Sequence, residues 1–134
     1  MDITTLLKLQ DYINIESSHA RFYEALANAA PTDEARNMLL ELSKDEMNHV
    51  NILSSLYKEY TNYDYVPLTE PIYITETSYR QNLKKQILNE ITNFRNYEKD
   101  FNQEEDNVRL RETFQDLKSD ELVFVTTLLY LLEG

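Results

Sequence analysis

The sequence predicts an all-α fold: a four-helix bundle built as two antiparallel helical hairpins joined by a long crossover, in a single domain over residues 1–134. Three observations predict it. One Gly and three Pro in 134 residues are too few for a fold with many turns, which leaves a few long helices. Apolar residues recur at steps of three or four over four separate stretches. The two halves of the chain also repeat one another, so that one hairpin predicts the other.

The first helix runs from about Asp2 to Ala29 and stops near Ala30-Pro31. A second opens at Thr32, an N-cap residue followed by Asp33 and Glu34, acids suited to the positive end of the helix dipole, and continues to about Thr61. Residues 62–74 hold Pro67 and Pro71 and are rich in Tyr, which reads as an extended connection packing over the bundle or a partner subunit. The third helix begins around Thr75 and reaches about Phe101. Asn102, with Glu105 three residues on, resembles a capping box opening the fourth, which ends near Glu133.

Each helix carries one inward stripe. The first gives Leu6, Leu9, Ile13, Glu16, Ala20, Tyr23 and Ala27; the second Ala35, Leu39, Leu42, Glu46, His49, Leu53, Leu56 and Tyr60. The third gives Leu83, Ile87, Glu90, Phe94, Tyr97 and Phe101; the fourth Leu110, Phe114, Leu117, Glu121, Phe124, Leu128 and Leu131. A single glutamate interrupts each stripe near its middle. Glu16, Arg21, Tyr23 and Glu24 match Glu90, Arg95, Tyr97 and Glu98 at identical offsets, and Asp45-Glu46 matches Asp120-Glu121. Glu16 stands 15 residues before Pro31 and Glu46 stands 15 after it, so an antiparallel hairpin sets them at one height. Glu90 and Glu121 are placed likewise about a turn near Glu105. A 13-residue connection reaches about 43 Å when extended, about the length of these helices, so it can cross the bundle and bring all four glutamates into one layer.

Four ionised carboxylates in a bundle interior repel one another and lose hydration at several kcal/mol each. No Lys or Arg lies on a stripe near that layer to offset them. Two divalent ions would do so, and carboxylate oxygen with imidazole nitrogen suits iron, manganese or zinc better than calcium. Glu46 and His49, at i and i+3, can reach one ion. The alternative for His49 is a core histidine bonded to a neighbour. His19 lies three residues after Glu16 but one step off the stripe, and reads as a surface or interface residue. Arg21 and Arg95 point outward, toward Glu24 and Glu98.

A Glu on the first helix, Glu-x-x-His on the second, a Glu on the third and a further Glu-led motif on the fourth resemble the ferritin-like di-iron carboxylate proteins. The run Glu16-Ser-x-x-Ala-Arg-x-Tyr23, with Tyr seven residues after each first Glu, looks closest to the rubrerythrin di-iron domain. The resemblance implies two iron ions, with Glu16 and Glu90 as terminal ligands, Glu46 and Glu121 bridging, and His49 completing one ion. It implies Tyr23 and Tyr97 beside the site, hydrogen-bonded to ligand carboxylates and serving its chemistry. It also implies a reaction with oxygen or peroxide, in iron handling or oxidative defence. Two departures stand out: Phe124 replaces the second histidine of rubrerythrins, and Asn93 an acid they often carry, which leaves the second ion short of ligands. The other reading is a structural or partner-binding bundle whose degraded site holds one metal or none. No cysteine-ligated rubredoxin module accompanies the bundle.

Composition narrows the rest. A net charge of −11, from 24 acidic and 13 basic residues, argues against nucleic-acid binding, which needs cationic surface. The chain has no Cys, which excludes disulfides, thiolate metal sites and cysteine nucleophiles. The start lacks the basic and apolar regions of a signal peptide, and the apolar run Leu122 to Leu132 is too short to span a bilayer. A cytoplasmic protein, not membrane-bound and homodimeric, is expected.

Overall fold

A computed structural model describes all residues, 1–134, as four helices and no strand. The chain forms two compact units, residues 1–74 and 75–134, each a helical hairpin.

In the first unit, α1 spans Ile3–Ala29 and α2 spans Asp33–Thr61. Local chemistry sets the ends. The Asp2 carboxylate accepts the Thr5 N–H at 2.8 Å, and the Thr32 hydroxyl accepts the Ala35 N–H at 3.1 Å, each satisfying an amide that the first turn leaves open. Pro31 cannot continue α1 and turns the chain. At its far end α2 stops on Asn62, whose φ of 64° is the left-handed conformation that asparagine tolerates better than most side chains. Contacts between the helices run in opposite chain order: the Gln10 amide donates to the Tyr57 hydroxyl at 2.9 Å, and the Ser43 hydroxyl donates to the Ala20 carbonyl at 2.8 Å. The small residues Ala20 and Ser43 let the backbones approach there.

The stripes form the core of the unit. Leu9, Ile13, Ala20, Tyr23 and Ala27 of α1 and Ala35, Leu39, Leu42, Leu53 and Leu56 of α2 are buried, each large apolar side chain contributing about 1.5–3 kcal/mol. Leu6 is only half-buried and Tyr60 is exposed, because both lie in terminal turns where the stripe runs past the partner helix. Beyond Asn62 the chain is extended and doubles back along α1. Asn14 holds it at two points, its amide donating to the Tyr65 hydroxyl at 2.8 Å and its carbonyl accepting the Leu68 N–H at 2.9 Å. Tyr65 also meets Tyr57 edge-on at 5.6 Å. Tyr63 and Tyr73, at 74% and 91% exposure, do not pack.

In the second unit the start of the third helix divides in two. Thr75 caps a short 3-10 turn, Glu76–Ser78, through a reciprocal capping box with Ser78, and α3 follows over Tyr79–Gln103. The capping box expected at Asn102 is not formed. Asn102 lies in the last turn of α3, and α4 spans Val108–Glu133 with Asn107 as its N-cap, accepting the Leu110 N–H at 3.0 Å. The Glu104 carboxylate accepts the Asn107 N–H at 2.9 Å and fixes the turn between them. All seven stripe residues of α4 are buried. On α3, however, Phe94 and Phe101 are half-buried, and Gln86, Asn93 and Asp100 take inward positions. The two phenylalanines lie under cations from α4: the Lys118 ammonium is 5.9 Å from the Phe94 ring and 5.3 Å from that of Phe101, which also carries the Arg111 guanidinium at 4.5 Å. Tyr97 packs on Phe114 with ring centres 6.3 Å apart, and Arg80 donates to the Leu132 carbonyl. These pairs also run in opposite order, as an antiparallel hairpin requires.

Candidate metal centre

Each hairpin interrupts its own core with two carboxylates, and all four, Glu16, Glu46, Glu90 and Glu121, are fully buried. In the first unit, α1 presents Glu16 one turn after Ile13, and α2 presents Glu46 one turn after Leu42, with His49 one turn further on. The Nδ1 atom of His49 donates to the Glu16 carboxylate at 2.7 Å, and lies 3.8 Å from that of Glu46. Donor atoms of Glu16, Glu46 and His49 all fall within 4.8 Å of one another.

Burial pushes the Glu16 carboxyl up, since the charged form loses hydration. Hydrogen bonding with Glu46 and His49, together with the charges of His49 and His19, outweighs that and holds it below the ordinary glutamate range. Glu16 is therefore a carboxylate at neutral pH in a place without water. Such a group needs a partner, a proton or a cation.

The donor set fits a transition metal. Two carboxylates and one imidazole, at ligand distances of about 2.0–2.2 Å, suit zinc, iron or manganese, whereas magnesium and calcium prefer oxygen alone. An ion with cis nitrogen and oxygen ligands sets them about 3 Å apart. The His49–Glu16 hydrogen bond, at 2.7 Å, already approaches that spacing, so an ion could replace the shared proton with little movement.

In the second unit, Glu90 of α3 and Glu121 of α4 are the buried carboxylates, each within a stripe of apolar neighbours. Asn93, one turn after Glu90, is buried too, and so is Phe124, one turn after Glu121. Neither adds charge or an imidazole. Tyr23 and Tyr97, the aromatics expected beside the site, are fully buried, one in each unit.

His19 is half-buried, and one of its ring nitrogens lies within 4.8 Å of a Glu46 carboxylate oxygen. Its signal in the sequence was the offset of three from Glu16, the same offset that joins His49 to Glu46. Gln86 and Asp100 of α3 are buried as well, at positions outside the stripe read from the sequence.

No helix is long and apolar enough to cross a membrane. Comparison with curated proteins finds the uncharacterized protein YhjR of Bacillus subtilis (strain 168), 35% identical over 66 residues, a stretch covering 49% of this chain and 46% of that protein. The alignment thus spans less than half of that relative's length. No solved structure matches the sequence. The sequence model of the Rubrerythrin family matches residues 8–123, most of the chain and all four of the glutamates that interrupt the stripes. With its four helices and its buried carboxylates and imidazole, the chain belongs to the rubrerythrin family and has the ferritin-like four-helix bundle fold.

Proposed function

We propose that this protein is a di-metal carboxylate protein, with iron as its metal, that reacts with oxygen or peroxide in iron handling or oxidative defence. The observation that carries the reading is the dry Glu16–His49 pair at 2.7 Å with Glu46 beside it, in a chain of this family. The proposed ligands are Glu16, Glu46 and His49 from the first hairpin and Glu90 and Glu121 from the second. Manganese or zinc suits the same donors.

The roles of the chain's own groups follow from their chemistry. Four carboxylates offset the charge of two divalent ions, removing the repulsion that makes them costly in the metal-free protein. For its Nδ1 atom to hold an ion, His49 would release that atom from the hydrogen bond with Glu16 and carry its ring proton on Nε2. Tyr23 and Tyr97, as phenols in an apolar interior, orient ligand carboxylates and can pass a proton. Bound iron would supply two electrons, one from each ion, to cleave a peroxide O–O bond, with two protons drawn from solvent to form two waters. The family reading also carries a cytoplasmic homodimer, whose mass light scattering measures.

The test is anaerobic titration with iron(II), followed by oxygen or hydrogen peroxide. Binding of about two irons per chain and oxidation faster than in buffer are expected. Failure of both defeats the proposal. One observation favours a second reading. Phe124 fills a buried position where an imidazole would complete a Glu-x-x-His motif on α4. A bundle with a degraded site would purify with one metal or none, which elemental analysis decides.

A further inference from the structure

We infer that His19 is a metal ligand, so that the first hairpin alone provides one imidazole for each ion of the pair. This rests on the di-metal reading above. The chain has only two histidines, and both stand three residues after a fully buried glutamate, as Glu16-x-x-His19 on α1 and Glu46-x-x-His49 on α2.

The antiparallel hairpin turns this repeat into a symmetry. Glu16 and Glu46 are at one height. From there α1 runs toward the turn and α2 away from it, so His19 and His49 are displaced in opposite directions, each by about 4.5 Å. The backbone positions of the two histidines therefore lie on either side of the glutamate pair, about 9 Å apart along the axis. Ions of a two-metal site stand about 3.5–4 Å apart, and a ligand beyond each adds about 2 Å at either end. The outermost ligand atoms of such a pair are then about 8 Å apart, a span within reach of side chains from those two positions.

The contacts follow the same cross pattern. His49 of α2 bonds Glu16 of α1, and His19 of α1 lies beside Glu46 of α2, their donor atoms within 4.8 Å. Two ligands on opposite sides of one ion stand about 4.2 Å apart, so a movement below one ångström lets both bind it. The second hairpin offers no imidazole. The nitrogen ligand absent at Phe124 is thus supplied from α1, and the ion that looked poorly provided for gains a neutral donor.

Nitrogen NMR of the full-length protein tests this with zinc(II), a diamagnetic probe. With two histidines the imidazole spectrum holds two spin systems, and His19→Gln assigns them. Adding zinc should move one ring nitrogen of each histidine to a metal-bound position. His19→Gln should lower the affinity for one of the two ions at least about tenfold while His49 stays metal-bound. Movement of the His49 signals alone, or full retention of both ions by His19→Gln, overturns the assignment and leaves the di-metal reading standing. If zinc moves neither ring and none binds, the di-metal reading falls, and this inference with it. The wild-type spectrum decides the matter even if the variant does not fold.

Discussion

Replacing His49 with alanine in the metal-free protein removes a partner from a carboxylate that has no water to turn to. Glu16 is fully buried, and its 2.7 Å bond to His49 is one of the interactions that keep it ionised. Breaking a buried pair by deleting one member costs about 3–5 kcal/mol, mostly the penalty of the stranded charge. Glu46 still lies beside Glu16 in His49→Ala and can share a proton with it, which sets the expected loss at the lower end, about 3 kcal/mol. Against a typical total of about 5–15 kcal/mol, that is a large share. The double variant Glu16→Gln/His49→Ala isolates the cause. Glutamine keeps the shape of glutamate and carries no charge to strand, so a coupling of about 2 kcal/mol between the two sites is expected. The assay is urea unfolding of all four proteins at pH 7 with chelator present. Additivity within about 0.5 kcal/mol would show that the pair is not electrostatically joined, and would refute the reasoning. Zinc at one hundred times its dissociation constant should then stabilise the wild type by about 2.7 kcal/mol, and His49→Ala by less.

Two further outcomes follow from the geometry. Because the Glu16 carboxyl is held low, its contribution to stability is complete above the unfolded-state value of about 4.3 and disappears as pH falls through the lower folded value; wild type should therefore lose stability more steeply than Glu16→Gln below about pH 4.3, and parallel acid limbs would contradict this. Asn107→Ala should cost about 1 kcal/mol, a fall of about 4 °C in melting temperature, while Asn102→Ala stays within about 0.5 kcal/mol, because Asn107 alone caps α4; calorimetry compares the two.

Much of the fold was legible because each helix has a single apolar stripe. In α4 every predicted inward residue is buried, because steps of three and four from Leu110 and Phe114 keep one line through the apolar run and leave Leu122, Val123 and Leu129 exposed. In α3 the choice after Glu90 lay between Asn93 and Phe94, and transfer free energy favours the phenylalanine. The helix decides otherwise. Successive residues turn about 100°, so Asn93 and Phe94 fall on opposite sides of Glu90, and the buried stripe drifts toward the Asn93 side as the helix proceeds. Asp100 is carried inward by the same drift, and Phe94 and Phe101 are left half-buried under Lys118 and Arg111. The Asn102 capping box failed for a different reason. Its residue types match the motif, but the Asn107 side chain and the Glu104 carboxylate compete for the same turn and satisfy its amides.

His19, one step off the stripe, is half-buried. A residue one step off the stripe usually faces solvent, but an imidazole reaches farther than an apolar side chain and can turn back toward the neighbouring helix. The charge balance of the proposed ligand set then follows. Asn93 is neutral where the resemblance implies an acid, and His19 would add a ligand without adding charge. Four carboxylates with two neutral imidazoles match two divalent ions without excess. Each electron withdrawn from such a pair leaves a positive charge in a dry interior, where an uncompensated charge is costly. A further carboxylate at position 93 would have compensated it. The proposed donor set would therefore favour the divalent state, so that Asn93 and His19, which differ from the resemblance in opposite senses, would together shift what such a site prefers to hold.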